Sequence, residues 1–184
     1  VGRGRMTSSE TNTAAILALE VTVATDGWRE VVATPEEVAA RAAHAAYTAA
    51  SPDLCRSSEA AVVLTDDAAV RILNRDYRNK DRATNVLSFP AFNVDDLARL
   101  PASAPLMLGD VVIALETVRA EARADAKTAG DHLSHLVVHG MLHLLGHNHE
   151  TDDEATIMER LEADVLGQLG VADPYVVVDE AAAP

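Results

Sequence analysis

Apolar and polar positions along the chain change period several times, and each change predicts an element. Ile16 to Ala24 is apolar and β-branched, which predicts a first strand, followed by a turn at Gly27-Trp28. Thr34-Pro35-Glu36-Glu37 combines a capping threonine, a proline at the first helical position and a glutamate three residues after the cap. It opens an alanine-rich helix that runs to about Ala50 and ends at Ser51-Pro52-Asp53. Ala60 to Thr65 predicts a second strand, and Asp66 or Asp67 caps a helix through Tyr77 whose apolar positions Val70, Leu73 and Tyr77 recur at helical spacing.

Val86 to Phe89 is a short apolar strand stopped by Pro90, and Asn93 to Pro105 is a loop with paired aspartates and two prolines. Leu108 to Leu115 predicts a fourth strand. Glu116 to about Thr128 is then a helix, separated by Gly130 from a histidine-bearing helix that Asp131 can cap. Thr151-Asp152-Asp153-Glu154 is a second capping box, and its helix runs to about Leu169. Strands and helices mix without strict alternation. The expected class is therefore α+β: a small mixed four-stranded sheet packed with about five helices, with the histidine helix beside the active-site cleft. A disordered segment over 1–12, a single domain over 13–170 and a tail over 171–184 complete the expected organisation.

The chemistry concentrates between His139 and His149, where the chain reads His-Gly-Met-Leu-His-Leu-Leu-Gly-His-Asn-His. Residues at i and i+4 share a helix face about 6 Å apart, so His139 and His143 can bind one ion together. Gly146 tolerates the left-handed conformation that turns the chain back and lets His149 close the set. Three neutral nitrogens suit zinc, one ion per chain, and leave a coordination position open for water, which argues for catalysis. The spacing matches the metzincin type of metalloprotease, but that motif places a glutamate after the first histidine as general base, and here the position is Gly140. A protease is therefore the weaker reading. His132 and His135 extend the same stripe down the helix. Three imidazoles along a straight helix do not converge on one tetrahedral ion, so His135 is placed in the cleft or behind the ligands, with a plain surface role as the alternative.

Composition and charge narrow the choice. A chain of 184 residues suits one cored domain, its single Cys55 permits no internal disulfide, and with no apolar run of about 18 residues neither a membrane span nor a signal peptide is indicated. A cytoplasmic protein without a membrane partner is expected. The net charge of −14 argues on average against nucleic acid, yet Arg71, Arg75, Arg78, Lys80 and Arg82 fall within residues 71–82 against only Asp76 and Asp81. That window carries +3 and the rest of the chain −17. A solvated helix face is the bland alternative for the cluster; phosphate contact is the functional one.

Two separated stretches carry a resemblance. Leu73-Asn74-Arg75-Asp76-Tyr77-Arg78 followed by Thr84-Asn85-Val86-Leu87-Ser88-Phe89-Pro90, and His135 through His149 with Leu108-Gly109-Asp110-Val111-Val112-Ile113 between them, resemble the YbeY family of bacterial endoribonucleases. The resemblance implies that His139, His143 and His149 bind zinc and that Arg78 is the functionally important, catalytic arginine. Arg75, Lys80, Arg82 and His135 would contact RNA. Gly140 is also the family's residue, whereas Asn148 stands where the family usually has aspartate. The implied activity is zinc-dependent, single-strand-specific RNA cleavage in rRNA maturation, including 16S 3′-end processing, and in ribosome quality control. The implied partners are single-stranded RNA, rRNA and the ribosome or small-subunit assembly proteins, met by a monomer. A metalloprotease-like hydrolase and a non-catalytic metal-binding assembly factor are the competing readings.

Overall fold

The computed structural model describes residues 16–50, 57–92 and 105–176. The expectations for the segment 1–12, for Cys55, for most of the 93–105 loop and for the end of the tail lie outside these residues. The elements in chain order are β1 (Leu17–Val23), α1 (Gly27–Val31), α2 (Pro35–Ala50), β2 (Ser58–Thr65), α3 (Asp67–Arg78), β3 (Val86–Pro90), β4 (Leu106–Ala114), α4 (Leu115–Ala124), α5 (Ala129–Leu144) and α6 (Asp152–Gln168).

The four strands form one mixed sheet in the order β1-β2-β4-β3, with β1, β2 and β4 parallel and β3 antiparallel on the edge beside β4. Alternation along the strands sorts the side chains into two layers. Val62, Leu64, Val111 and Ile113 are fully buried on one face with α2 and α5, in a core that includes Ala43, Val137 and Met141. Val112, Ala114 and Leu87 point the other way and meet Val70 of α3 in a second, smaller cluster. The class is therefore the α+β arrangement expected from the sequence.

Three local features differ from the sequence reading. Gly27–Val31 is a short helix, because Trp28 is fully buried and its indole N–H donates to the Thr65 carbonyl at 3.0 Å. The histidine helix starts earlier than predicted: Thr128, not Asp131, is its cap, accepting from the Asp131 amide at 3.0 Å. Gly130 thus lies inside α5. On α3 the predicted apolar stripe is only partly inward, with Val70 buried and Tyr77 70% exposed. The two predicted caps at Asp66 and Thr151 are present, the latter as a complete capping box.

Candidate metal centre

Helix α5 lies across the sheet at Gly140, whose missing side chain permits the approach. A Cβ there would stand 2.6 Å from Cγ1 of Val111 and 3.2 Å from Oγ of Ser88. Ser88 on β3 donates to the Gly140 carbonyl at 3.3 Å. Position 140 therefore faces the sheet, and a glutamate there would have no room in its present packing. At its end α5 closes in a Schellman motif: Gly146 takes a positive φ of 90°, its amide donates to the His143 carbonyl, and the His147 amide donates to Leu142. This turn brings His149 back over the helix.

The result gathers His139, His143 and His149 so that one ring nitrogen of each lies within 4.8 Å of the others. The Nε2 atoms of His139 and His143 are 3.1 Å apart, close to the ~3.4 Å expected for two imidazoles on one tetrahedral ion at bonds of about 2.0–2.1 Å. His139 turns its other nitrogen away: Nδ1 meets Oε1 of Glu162 on α6 at 2.7 Å. With a proton held on Nδ1 by that carboxylate, Nε2 presents its lone pair toward the other two rings, the usual orientation for a metal-ligating histidine. The donor set and its geometry fit a divalent metal ion.

Glu162 is the residue that sequence reasoning missed. Its side chain is 1% exposed, yet it is fully engaged: His139 at one oxygen, His135 Nε2 at 3.2 Å from the other, and the Tyr175 hydroxyl donating to that same oxygen. Burial alone would raise its pKa, but the hydrogen bonds from His135, His139 and Tyr175 overcome this and hold the carboxyl down at about 2. Burial, and then the hydrogen bond to the same carboxylate, push the Tyr175 hydroxyl upward. Burial, followed by the neighbouring His139 and His149, lowers His143 to about 4, against weaker contributions from the His147 backbone and the Asn148 side chain. His143 is thus poised as a neutral imidazole, the form that binds metal. A glutamate in helical register gives no sign of this role; only the packing of α6 on α5 reveals it.

The remaining candidates fall in two places. His135 sits one turn before His139, its side chain 19% exposed and bonded to Glu162. His132 is buried deeper and meets Glu121 at 2.8 Å, the carboxylate that also accepts from Asn85 at the entry to β3. Arg75 and Arg78 lie at the end of α3, which packs on the sheet face opposite α5, and Lys80 and Arg82 lie in the loop that follows. This loop is fixed by Asn79 in the left-handed conformation, by Asn74 donating to the Arg82 carbonyl and by Arg71 gripping Asp81 with two bonds of 2.7 and 2.9 Å. Arg75 is occupied with Asp76. The side chains of Arg78, Lys80 and Arg82 make no hydrogen bond or ion pair with any other described residue, the histidines included.

Comparison with known proteins identifies the family. The family model described as endoribonuclease YbeY matches residues 24–170. An endoribonuclease YbeY of Azorhizobium caulinodans is 47% identical over 165 residues, spanning 89% of this chain and 99% of that one, and one of Paramagnetospirillum magneticum is 56% identical over 117 residues, spanning 64% and 71%. The solution structure of TM1509 from Thermotoga maritima shares the fold at a TM-score of 0.50 and 20% identity, covering 87% of this chain and all of that one. With the family model covering most of the chain and with relatives of this similarity, the chain belongs to the YbeY family of endoribonucleases.

Proposed function

We propose that the protein is a zinc-dependent endoribonuclease specific for single-stranded RNA. In this reading it acts in the cytoplasm as a monomer, on rRNA in the maturing ribosome, including 16S 3′-end processing and ribosome quality control, alongside small-subunit assembly proteins. The observation that carries the reading is the convergence of His139, His143 and His149, backed by Glu162, in a chain of an endoribonuclease family. These three histidines would hold one zinc ion, which supplies Lewis-acid polarisation of a phosphoryl oxygen and lowers the pKa of coordinated water toward ~7.

The protein's own groups do the rest. Glu162 fixes the tautomer of His139, and His135 helps hold Glu162 while lining the cleft toward RNA. Arg78, always charged and bidentate toward phosphate, holds the scissile phosphodiester and offsets the charge that develops on it. Lys80 and Arg82 track the flanking backbone, with Arg75 joining them when it leaves Asp76. Helices α3 and α5 pack on opposite faces of the sheet, so Arg78, at the end of α3, would reach the scissile phosphate around the edge strand β3. A peptidase of the metzincin type carries its base beside the first histidine, where Gly140 here packs on Val111, so its base would have to come from elsewhere, such as Glu150 or Asp152.

The reading is tested with purified protein on matched single- and double-stranded RNA, comparing wild type with Arg78→Ala. The expected result is cleavage of the single strand only, with both binding and cleavage impaired in the variant. Unchanged binding and cleavage by Arg78→Ala would remove that arginine from the reaction, and cleavage of unstructured protein but not RNA would replace the reading altogether.

A further inference from the structure

The α3 face of the sheet holds a groove that the reaction above leaves unused. It measures ≈ 390 Å³ and is lined by Val63, Leu73, Tyr77, Phe89, Asp110 and Val112. Val63, Leu73 and Val112 make an apolar floor. Tyr77 stands over it with most of its ring in solvent, braced edge-to-face against Phe89 with centroids 5.2 Å apart at 67°. An aromatic on the apolar stripe of a helix ordinarily turns inward; this one is held outward by a second ring. Phe89 and Asp110 are partners in the β3–β4 register and therefore project on the same face, which sets a carboxylate at the groove's margin.

The charge around this groove selects its occupant. Arg78 follows Tyr77 directly, and among the described residues Arg78, Lys80 and Arg82 have no ion-pair partner, whereas Arg71 and Arg75 are spent on Asp81 and Asp76. In a chain of net charge −14, free cations beside an exposed aromatic ledge complement a ligand that is itself a flat ring linked to phosphate. Resting on the RNA reading above, we propose that this groove is a nucleobase site: one unstacked base of the RNA lies against Tyr77 while its phosphates meet Arg78, Lys80 and Arg82.

Asp110 gives the site a preference. A carboxylate only accepts hydrogen bonds, so it favours the amino groups of cytosine, adenine or guanine over uracil, which offers a carbonyl in the equivalent place. In a duplex those amino groups are paired and the base face is stacked. The site therefore also favours single strands.

The test measures binding of fluorescent oligocytidylate and oligouridylate, made cleavage-resistant by 2′-O-methyl and phosphorothioate groups, to the metal-loaded full chain. Tyr77→Leu should weaken oligocytidylate binding roughly tenfold, the scale of losing one base–aromatic stack, while Tyr77→Phe retains it. An oligonucleotide with an abasic residue at the bound position should bind wild type and Tyr77→Leu equally, a comparison that keeps the phosphates in place. Asp110→Asn should narrow the preference for oligocytidylate. If wild type binds and cleaves RNA but Tyr77→Leu binds it as tightly, the groove is not a base site and the RNA reading stands. If wild type binds no RNA, both fall together.

Discussion

At the scale of single residues, the centre depends on groups the histidine motif does not contain. Glu162 is 23 residues from His139 in sequence and 2.7 Å from it in space. Glu162→Gln keeps the shape but weakens the acceptor and should lower metal affinity about 10–100-fold, as removal of such outer partners does; titration with a metal indicator reads this directly, and an unchanged affinity would show that the carboxylate is merely buried. Tyr175→Phe removes one of the bonds to Glu162 and should produce a smaller loss of the same kind. Acid should weaken the metal-free protein. His143 titrates normally near 6.5 when unfolded and at about 4 in the fold, so between those values the unfolded chain takes up a proton that the folded chain does not, and stability falls as pH drops through that window. Glu162, depressed from 4.5 to about 2, adds a further loss as pH falls below 4.5. Thermal unfolding of chelated protein at pH 7, 5.5 and 4 should give a descending Tm; a flat or rising series would contradict these environments.

At the scale of elements, the joints that hold the site are capping and close packing. The capping box of Thr151 and Glu154 begins α6 two residues after His149, so it anchors both the loop that carries His149 and the helix that carries Glu162. Thr151→Ala should cost about 1 kcal/mol, roughly 2–4 °C in Tm for a chain of this size, with a matching fall in metal affinity. Gly140→Ala pushes a methyl group into Val111 and should cost about 1–3 kcal/mol by overpacking the contact between α5 and the sheet; a neutral result on thermal unfolding would mean that the helix can slide. These joints also explain which elements the sequence makes legible. Thr34-Pro35, Asp66 and Thr151 announce their helices through side chains that act within one turn, and the turn at Gly146 follows from a glycine between histidines. Helix α1 is held instead by Trp28 reaching Thr65, and the outward Tyr77 by Phe89 on another strand. Such partners meet only in the tertiary structure, so periodicity on the helix itself misassigns the face.

At the scale of the whole molecule, a strongly acidic protein carries a local excess of positive charge at residues 71–82, +3 against −17 for the rest of the chain. RNA steered to Arg78, Lys80 and Arg82 and repelled elsewhere should show a salt dependence set by those few contacts: Arg82→Ala should reduce the slope of log affinity against log salt by about 0.7, the value for one single-strand phosphate contact. A slope unchanged by the substitution would place the RNA elsewhere. The three histidines and the basic window were both legible as chemistry, but the packing of α5 and α3 on opposite faces of the sheet was not, because it depends on how β3 pairs at the edge. The central claim is that one metal ion held by His139, His143 and His149 enables RNA cleavage. Its most direct test is cleavage of a single-stranded RNA by metal-stripped protein, by the same sample after one equivalent of zinc is restored, and by His143→Ala given the same zinc. The account predicts no cleavage, recovered cleavage and no cleavage in that order; activity that persists in the stripped protein or in His143→Ala would contradict it.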